Sequence, residues 1–245
     1  MLAKEVNPCG FAGHVRTDEV TPEKAHGDAM WKWLKGSKAT LDPARSEAAA
    51  TSQMDTPLAN DLPPQPKVII ITGTSGSGRK SIAKRLSADL GLPYVLPYTT
   101  RAMRVGERDG EHYRFIGEAD FQAMVERLEF SQSVRLERGS YGIAERELSD
   151  ALEQYGAAVV VVNHDGLQTL RKRFGPQAIR IFLYVTKEDI RLREEREGAP
   201  TEVIEEYLRN YSEQVIHKKE SDYLLQNIDP AATLAKIKVF LQDKI

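Results

Sequence analysis

A chain of 245 residues has room for one large or two small domains, and 41% apolar residues suffice to bury a core. A formal charge of −2 gives no electrostatic case for nucleic acid as the main partner, and the single Cys9 excludes an intramolecular disulfide and fits a reducing compartment. No apolar run approaches the length of a transmembrane helix, and the N-terminus lacks the apolar core of a signal peptide, so a cytoplasmic protein without membrane contact is expected.

Residues 1–66 read as a disordered tail or linker. Seven of the twelve prolines fall there, and its Ala-, Thr- and Ser-bearing stretches show no sustained period that would pack a core. One island, Met30-Trp31-Lys32-Trp33-Leu34-Lys35, carries both tryptophans. It is either a docking segment for a protein partner or a weakly ordered apolar turn. Leu62-Pro-Pro-Gln-Pro66 marks the boundary with a domain over 67–245, since successive prolines are extended and stop helices.

The stretch Lys67–Leu86, KVIIITGTSGSGRKSIAKRL, organises that domain. Val68 to Thr72 are all β-branched, which suits a strand buried on both faces. The turn Gly73-Thr-Ser75-Gly76-Ser77-Gly78 follows, and a helical pattern runs from Arg79 through Ile82, Ala83 and Leu86 to a stop at Gly91. Strand, glycine turn and helix together make an anion cradle from turn amides and a helix N-terminus. The alternative is an ordinary turn that needs glycine only for tight packing.

Against the usual G-x-x-x-x-G-K-[S/T] form, the lysine position holds Arg79 and the magnesium-hydroxyl position holds Lys80. An arginine still neutralises phosphate, but its planar fork is not a compact point charge. An ammonium cannot coordinate Mg²⁺, so Ser81 or a water would have to stand in as metal ligand.

Tyr94–Leu96 is predicted as a second short strand. Then comes TTRAMRVGERDGEHYRF, residues 99–115, in which Arg101, Arg104 and Tyr113 supply convergent donors around a glycine turn. That pattern suits a phosphate clamp on a loop; a solvated charge run is the competing reading.

The phosphate loop followed by this segment resembles the guanylate kinase family, whose pattern is T-T-R-x-x-R-x-G-E-x-x-G-x-x-Y-x-F, and the likeness runs from about Lys67 to Asn227. It implies ATP and Mg²⁺ as cofactors, a small-molecule phosphate acceptor, and acceptor-phosphate roles for Arg101, Arg104, Tyr113 and Tyr141. Three positions depart from the family's base-reading residues. Gln132, expected just after a helix over 120–130, stands for a glutamate. Ile143 stands for a Ser/Thr, and Asn163 stands for an aspartate at a strand end. A carboxylate accepts from two donors at once, whereas a glutamine brings one acceptor and donors of its own. Guanine specificity is therefore open.

Two relatives account for such departures. Ribose 1,5-bisphosphate phosphokinases read no base and are similar in the Val-Val-Val-Asn163 strand end, in Tyr141-Gly142 followed by an aliphatic residue, and in a non-hydroxyl residue at position 80. Guanylate-kinase-like domains of membrane-associated scaffolds carry altered phosphate loops and bind phosphorylated partners with little or no transfer.

The remaining pattern alternates strand and helix. Helices are expected over 144–155, 166–174 and 187–196, strands over 157–162 and 178–185, and a closing helix over 230–245. Residues 187–209 resemble a kinase lid, centred on about 193–203, with Arg193 and Arg196 closing over the triphosphate. Thr201-Glu202 is expected to cap the helix that follows. Tyr207 falls where another lid arginine is expected, and a surface helix laced with Glu–Arg pairs is the alternative. The resemblance also puts Asn227 near the donor adenine.

The expected fold is thus a three-layer α/β phosphate-loop kinase with a parallel sheet, a small acceptor-binding insertion over about 97–145 and a lid. Gly73, Ser75, Gly76, Ser77, Gly78, Arg79, Lys80, Ser81 and Asn227 are the expected ATP-binding set, with Arg79, Arg193 and Arg196 as its catalytic cations. Three functions remain open: a nucleoside monophosphate kinase, a sugar-phosphate kinase, and a phosphate-binding module without transfer.

Overall fold

The computed structural model describes residues 65–245. The Trp31–Trp33 island and the expected tail lie outside the described residues.

The β-branched run forms β1, Lys67–Gly73, and it pairs in parallel with β6, Ala157–Val161, on one side and β7, Ala178–Tyr184, on the other. β8, Tyr223–Gln226, extends the sheet beyond β7, giving the order β6-β1-β7-β8. Because β1 is central, both its faces are covered. Val68 and Ile70 pack with Leu148, Leu152, Leu167 and Leu170 of α3, Glu145–Tyr155, and α4, His164–Phe174. Ile69 and Ile71 pack with Ile82 and Leu86 of α1, Arg79–Leu90, and with Leu234 and Ile237 of α7, Pro230–Leu241. These four β1 side chains are fully buried, each contributing about 1.5–3 kcal/mol of transfer free energy. The expected three layers follow from that arrangement.

A second, smaller sheet has the order β3-β2-β5-β4 and falls within the stretch 97–145. It comprises β2, Tyr98–Thr99, β3, Arg114–Phe115, β4, Phe130–Leu136, and β5, Gly139–Ala144. α2, Glu118–Glu126, covers it, with Phe121 stacked on Phe130 at 4.5 Å between ring centroids. This helix stops earlier than the expected residue 130. Leu128 adopts φ 56, a left-handed turn that reverses the chain, so Gln132 sits inside β4 rather than after a helix.

Two further boundaries differ from expectation. Tyr94–Leu96 is not a strand but a single bridge from Tyr94 to Val159, because Pro93 and Pro97 bracket it and Pro97 has no N–H to donate. Helices α5, Lys187–Arg196, and α6, Thr201–Val215, are joined by a turn of four residues that contains the Gly198-Ala199-Pro200 stretch. Pro200, not Thr201, is the N-cap of α6, and no side chain caps it. A short 3₁₀ turn, Ile216–Glu220, follows α6.

At the end of β1 the chain runs so close to β7 that a Cβ on Gly73 would lie 1.8 Å from the Leu183 carbonyl oxygen, and φ there is 142°. Gly73→Ala is expected to cost more than ~3 kcal/mol in urea unfolding or to abolish folding, since backbone, not a flexible side chain, is in the way.

Candidate active site

The loop after β1 is held from below. The Thr74 N–H donates to the Leu183 carbonyl at 3.1 Å, and the Ser77 hydroxyl donates to the Thr74 carbonyl at 2.6 Å. Asn227, buried after β8, donates through Nδ2 to the Ser77 carbonyl at 2.8 Å. The side chain of Asn227 therefore braces the loop backbone through Nδ2, while its buried Oδ1 has no hydrogen-bond partner among the described residues. With the loop so fixed, the Gly76 and Gly78 amides have no acceptor among the described residues, and the first turn of α1 presents its unpaired amides beside them.

Arg79, at the first position of α1, forms no ion pair among the described residues. Burial pulls its guanidinium below the ordinary value, and its surroundings are the phenols of Tyr113, Tyr207 and Tyr94 rather than a carboxylate. A partly desolvated cation in that setting is suited to pairing with an anion.

Across from the loop, Glu107 gathers the clamp. Its Oε1 accepts from Arg101 Nη2 at 2.8 Å and lies 3.7 Å from Lys80 Nζ, while its Oε2 accepts from the Arg104 backbone N–H at 2.9 Å. Burial opposes the Glu107 charge, but the hydrogen bonds from Arg104 and Arg101 and the nearby Arg101 and Lys80 charges outweigh it and hold the carboxyl below its usual range. The Arg101 guanidinium stands 5.2 Å from the centroid of the Tyr113 ring, and Tyr141 meets Tyr113 edge-on at 5.9 Å. Burial raises both phenols, so each remains a neutral hydroxyl donor. Arg101, Arg104, Tyr113 and Tyr141 are thus brought together as expected.

Lys80 points into this clamp. Its Nζ is 4.6 Å above the Tyr113 ring centroid, and burial lowers its pKa, the Glu107 charge pulling the other way. Ser81, the expected stand-in metal ligand, is exposed one position further along the helix.

The lid arginines do not converge on the loop. Arg193 Nη2 donates to the carbonyls of Asn227, at 2.6 Å, and Ile228, at 3.1 Å, stapling α5 to the segment after β8. Arg196 is exposed and makes no hydrogen bond or ion pair among the described residues. Helix α6 supplies the contacts instead. The Tyr207 hydroxyl accepts from Arg104 Nη1 at 2.8 Å, Gln214 Oε1 accepts from the Ser75 N–H at 2.7 Å, and Glu206 pairs with Arg138 from the β4–β5 turn. Glu194 of α5 lies against Gly76, and burial followed by Glu197 pushes its carboxyl up against the pull of Arg104 and Lys80. Glu107, Tyr207, Gln214 and Glu194 were not among the expected site residues. Only Glu107 had a signal, the glutamate of the Arg101–Glu107 segment; Tyr207 and Gln214 are seven apart and share a helix face, which names no partner.

In β4 of the second sheet, Gln132 is buried and its Oε1 has no hydrogen-bond partner among the described residues, facing Gly166 of α4. Ile143 is fully buried among Leu148 and Leu167 in the core. Asn163 caps α4, its Oδ1 accepting from the Gly166 N–H at 3.0 Å.

Comparison with known proteins agrees with this arrangement. The sequence profile of the family described as "Guanylate kinase" matches residues 65–244. The chain is 32% identical over 184 residues to guanylate kinase 2, chloroplastic/mitochondrial, of Oryza sativa subsp. japonica, covering 74% of this chain and 64% of that protein, just under two thirds of its length. It is 30% identical over 185 residues to the guanylate kinase of Photorhabdus laumondii, covering 74% of this chain and 89% of that one. Among solved structures, a guanylate kinase from Anaplasma phagocytophilum superposes with a TM-score of 0.61 at 20% identity, over 75% of this chain and 88% of its own, a likeness of fold.

Glu107→Gln is expected to cost ~1–3 kcal/mol of stability at neutral pH, since it leaves Arg101 and Lys80 without their shared carboxylate. A carboxyl whose pKa is lowered on folding stabilises above its unfolded value and loses that contribution as pH falls. The gap between wild type and variant in denaturant titrations should therefore narrow below about pH 4.

Proposed function

The chain belongs to the guanylate kinase family, and from that premise we propose that it moves the γ-phosphoryl group of ATP onto the phosphate of a nucleoside monophosphate, GMP foremost. The observation that carries this reading is the charge balance of the site: Arg79, Lys80, Arg101 and Arg104 gather about Tyr113, Glu107 pairs with Lys80 and Arg101 alone, and Arg79 has no carboxylate partner among the described residues. The excess of cations is matched by the phosphates of a donor and an acceptor.

In this mechanism the loop amides and Arg79 hold the donor phosphates. Arg101, Arg104, Tyr113 and Tyr141 hold the acceptor phosphate, and Lys80 lies between the two sets. The acceptor phosphate is ionised at neutral pH, so one of its oxygens attacks the γ-phosphorus in line without a protein base or a covalent protein intermediate. Alignment and charge stabilisation supply the catalysis. The buried, unpartnered Gln132 Oε1 supports an acceptor that brings its own N–H donor, as a purine base with an imino proton does.

The residues present do not fit a loop-held Mg²⁺. The position that supplies the metal's hydroxyl ligand carries the Lys80 ammonium, and the Ser81 hydroxyl is exposed. Magnesium in this reading arrives as part of the nucleotide substrate.

A second reading, a phosphate-binding module without transfer, is favoured by one set of contacts. Arg193 is engaged by carbonyls, Arg196 is exposed, and Gln214 occupies the Ser75 amide.

ADP release should be measured from Mg·ATP with GMP, AMP, CMP, UMP and ribose 1,5-bisphosphate as separate acceptors. Turnover with GMP above the others is expected; turnover with the bisphosphate alone moves the acceptor to a sugar phosphate, and silence with all, from folded protein that still binds GMP, selects the module. Arg101→Ala should weaken acceptor binding about 10- to 100-fold, from ~1.5–3 kcal/mol for charge-assisted hydrogen bonds. Gln132→Glu should raise kcat/KM for GMP about tenfold or more by restoring a double acceptor.

A further inference from the structure

We propose that His164, His217 and Glu220 form a binding site for a divalent transition-metal ion of the zinc type, separate from the nucleotide site. His164 is the first residue of α4, and His217 and Glu220 lie on the 3₁₀ turn after α6. In a 3₁₀ turn residues three apart eclipse one another, so His217 and Glu220 share a face. That face meets the N-terminus of α4, where the His164 and His217 rings stack at 3.4 Å between centroids.

Both imidazoles turn a nitrogen toward one oxygen. His217 Nδ1 is 3.3 Å and His164 Nε2 is 3.9 Å from Glu220 Oε1, and one donor atom from each residue lies within 4.8 Å of the others. Zinc bonds of ~2.0–2.2 Å in a tetrahedron separate their donor atoms by roughly 3.3–3.5 Å. One edge already has that length, and rotation of the imidazoles about their ring torsions closes the rest. The buried Nδ1 of His164 has no hydrogen-bond partner among the described residues.

The carboxylate is oriented for the task. Gln168 donates to Glu220 Oε2, leaving Oε1 directed at the two rings, the arrangement by which an outer side chain fixes a metal ligand. Two imidazoles and one carboxylate select zinc, nickel or copper over magnesium and calcium, which prefer all-oxygen cages. Three protein ligands leave a fourth position for water, and Arg171, 4.0 Å from Oε2, keeps the affinity moderate, as befits an exchangeable ion. The site joins the end of α6 to α4, three residues beyond the Gln214 that rests on the phosphate loop. Occupancy would therefore fasten the helix that carries Tyr207 and Gln214.

The test is titration of the full, chelator-stripped chain with Zn²⁺ by calorimetry, and with Co²⁺ by its visible absorption bands. The expected result is one equivalent bound, unaffected by excess Mg²⁺, with a rise in melting temperature. His164→Ala/His217→Ala should weaken binding by at least ~10- to 100-fold. Glu220→Gln, which keeps the side chain's size and its contact with Gln168, should weaken it by at least ~10-fold. Absence of stoichiometric binding, or binding unchanged in Glu220→Gln or surviving in the double histidine variant, would overturn the assignment. Neither readout depends on kinase activity.

Discussion

Glu107 is the interaction on which the site depends. Two guanidinium-bearing segments and an ammonium converge on one carboxylate, Arg101 and Lys80 through one oxygen and the Arg104 backbone through the other. Without that anion the cations would repel one another at short range in a partly desolvated cleft, where charge is several-fold more costly than in water. With it, the loop over 101–107 closes into a ring that aims Arg101 at the Tyr113 face and frees the Arg104 side chain to reach Tyr207. The carboxylate neutralises only part of the positive charge, and the remainder is what supports the proposed binding of phosphate.

The fold supplies the other half. A fully buried β1 in the middle of a parallel sheet gives the phosphate loop a rigid base, and Asn227 ties the loop to the segment after β8. Helix α6 then spans the cleft, touching the clamp through Tyr207 and the loop through Gln214. The phosphate loop and the Arg101–Glu107 clamp are thus registered by one helix. Lys80 links them a second time from the loop side, which gives a physical use to the residue that departs most from the usual phosphate-loop pattern.

Much of this was legible in the chain. The β-branched run followed by spaced glycines determined β1, the loop and α1, because a buried central strand and a left-handed cap leave few alternatives for such residues. The Arg101, Arg104, Tyr113 and Tyr141 grouping was legible as a motif. The direction of Lys80 was not, since a helix position allows it to face donor or acceptor and the choice is made by Glu107, distant in sequence. Tyr207 was noticed only as a missing arginine, and its pairing with Arg104 across 103 positions has no local signature. The surroundings of the two expected lid arginines were not legible for a related reason: Arg193 meets backbone carbonyls after β8, and Arg196 after it stands in solvent. The left-handed Leu128, a residue with no intrinsic taste for that conformation, ends α2 early and moves Gln132 into a strand.

The central claim is that the cleft is built around a phosphate rather than a base. Calorimetric titration with GMP and, separately, with guanosine tests it most directly. The account predicts that GMP binds and that guanosine, lacking the dianion that Arg101 and Arg104 hold, binds at least ~100-fold more weakly, as loss of two charge-assisted contacts requires. Equal affinity for the two would contradict it.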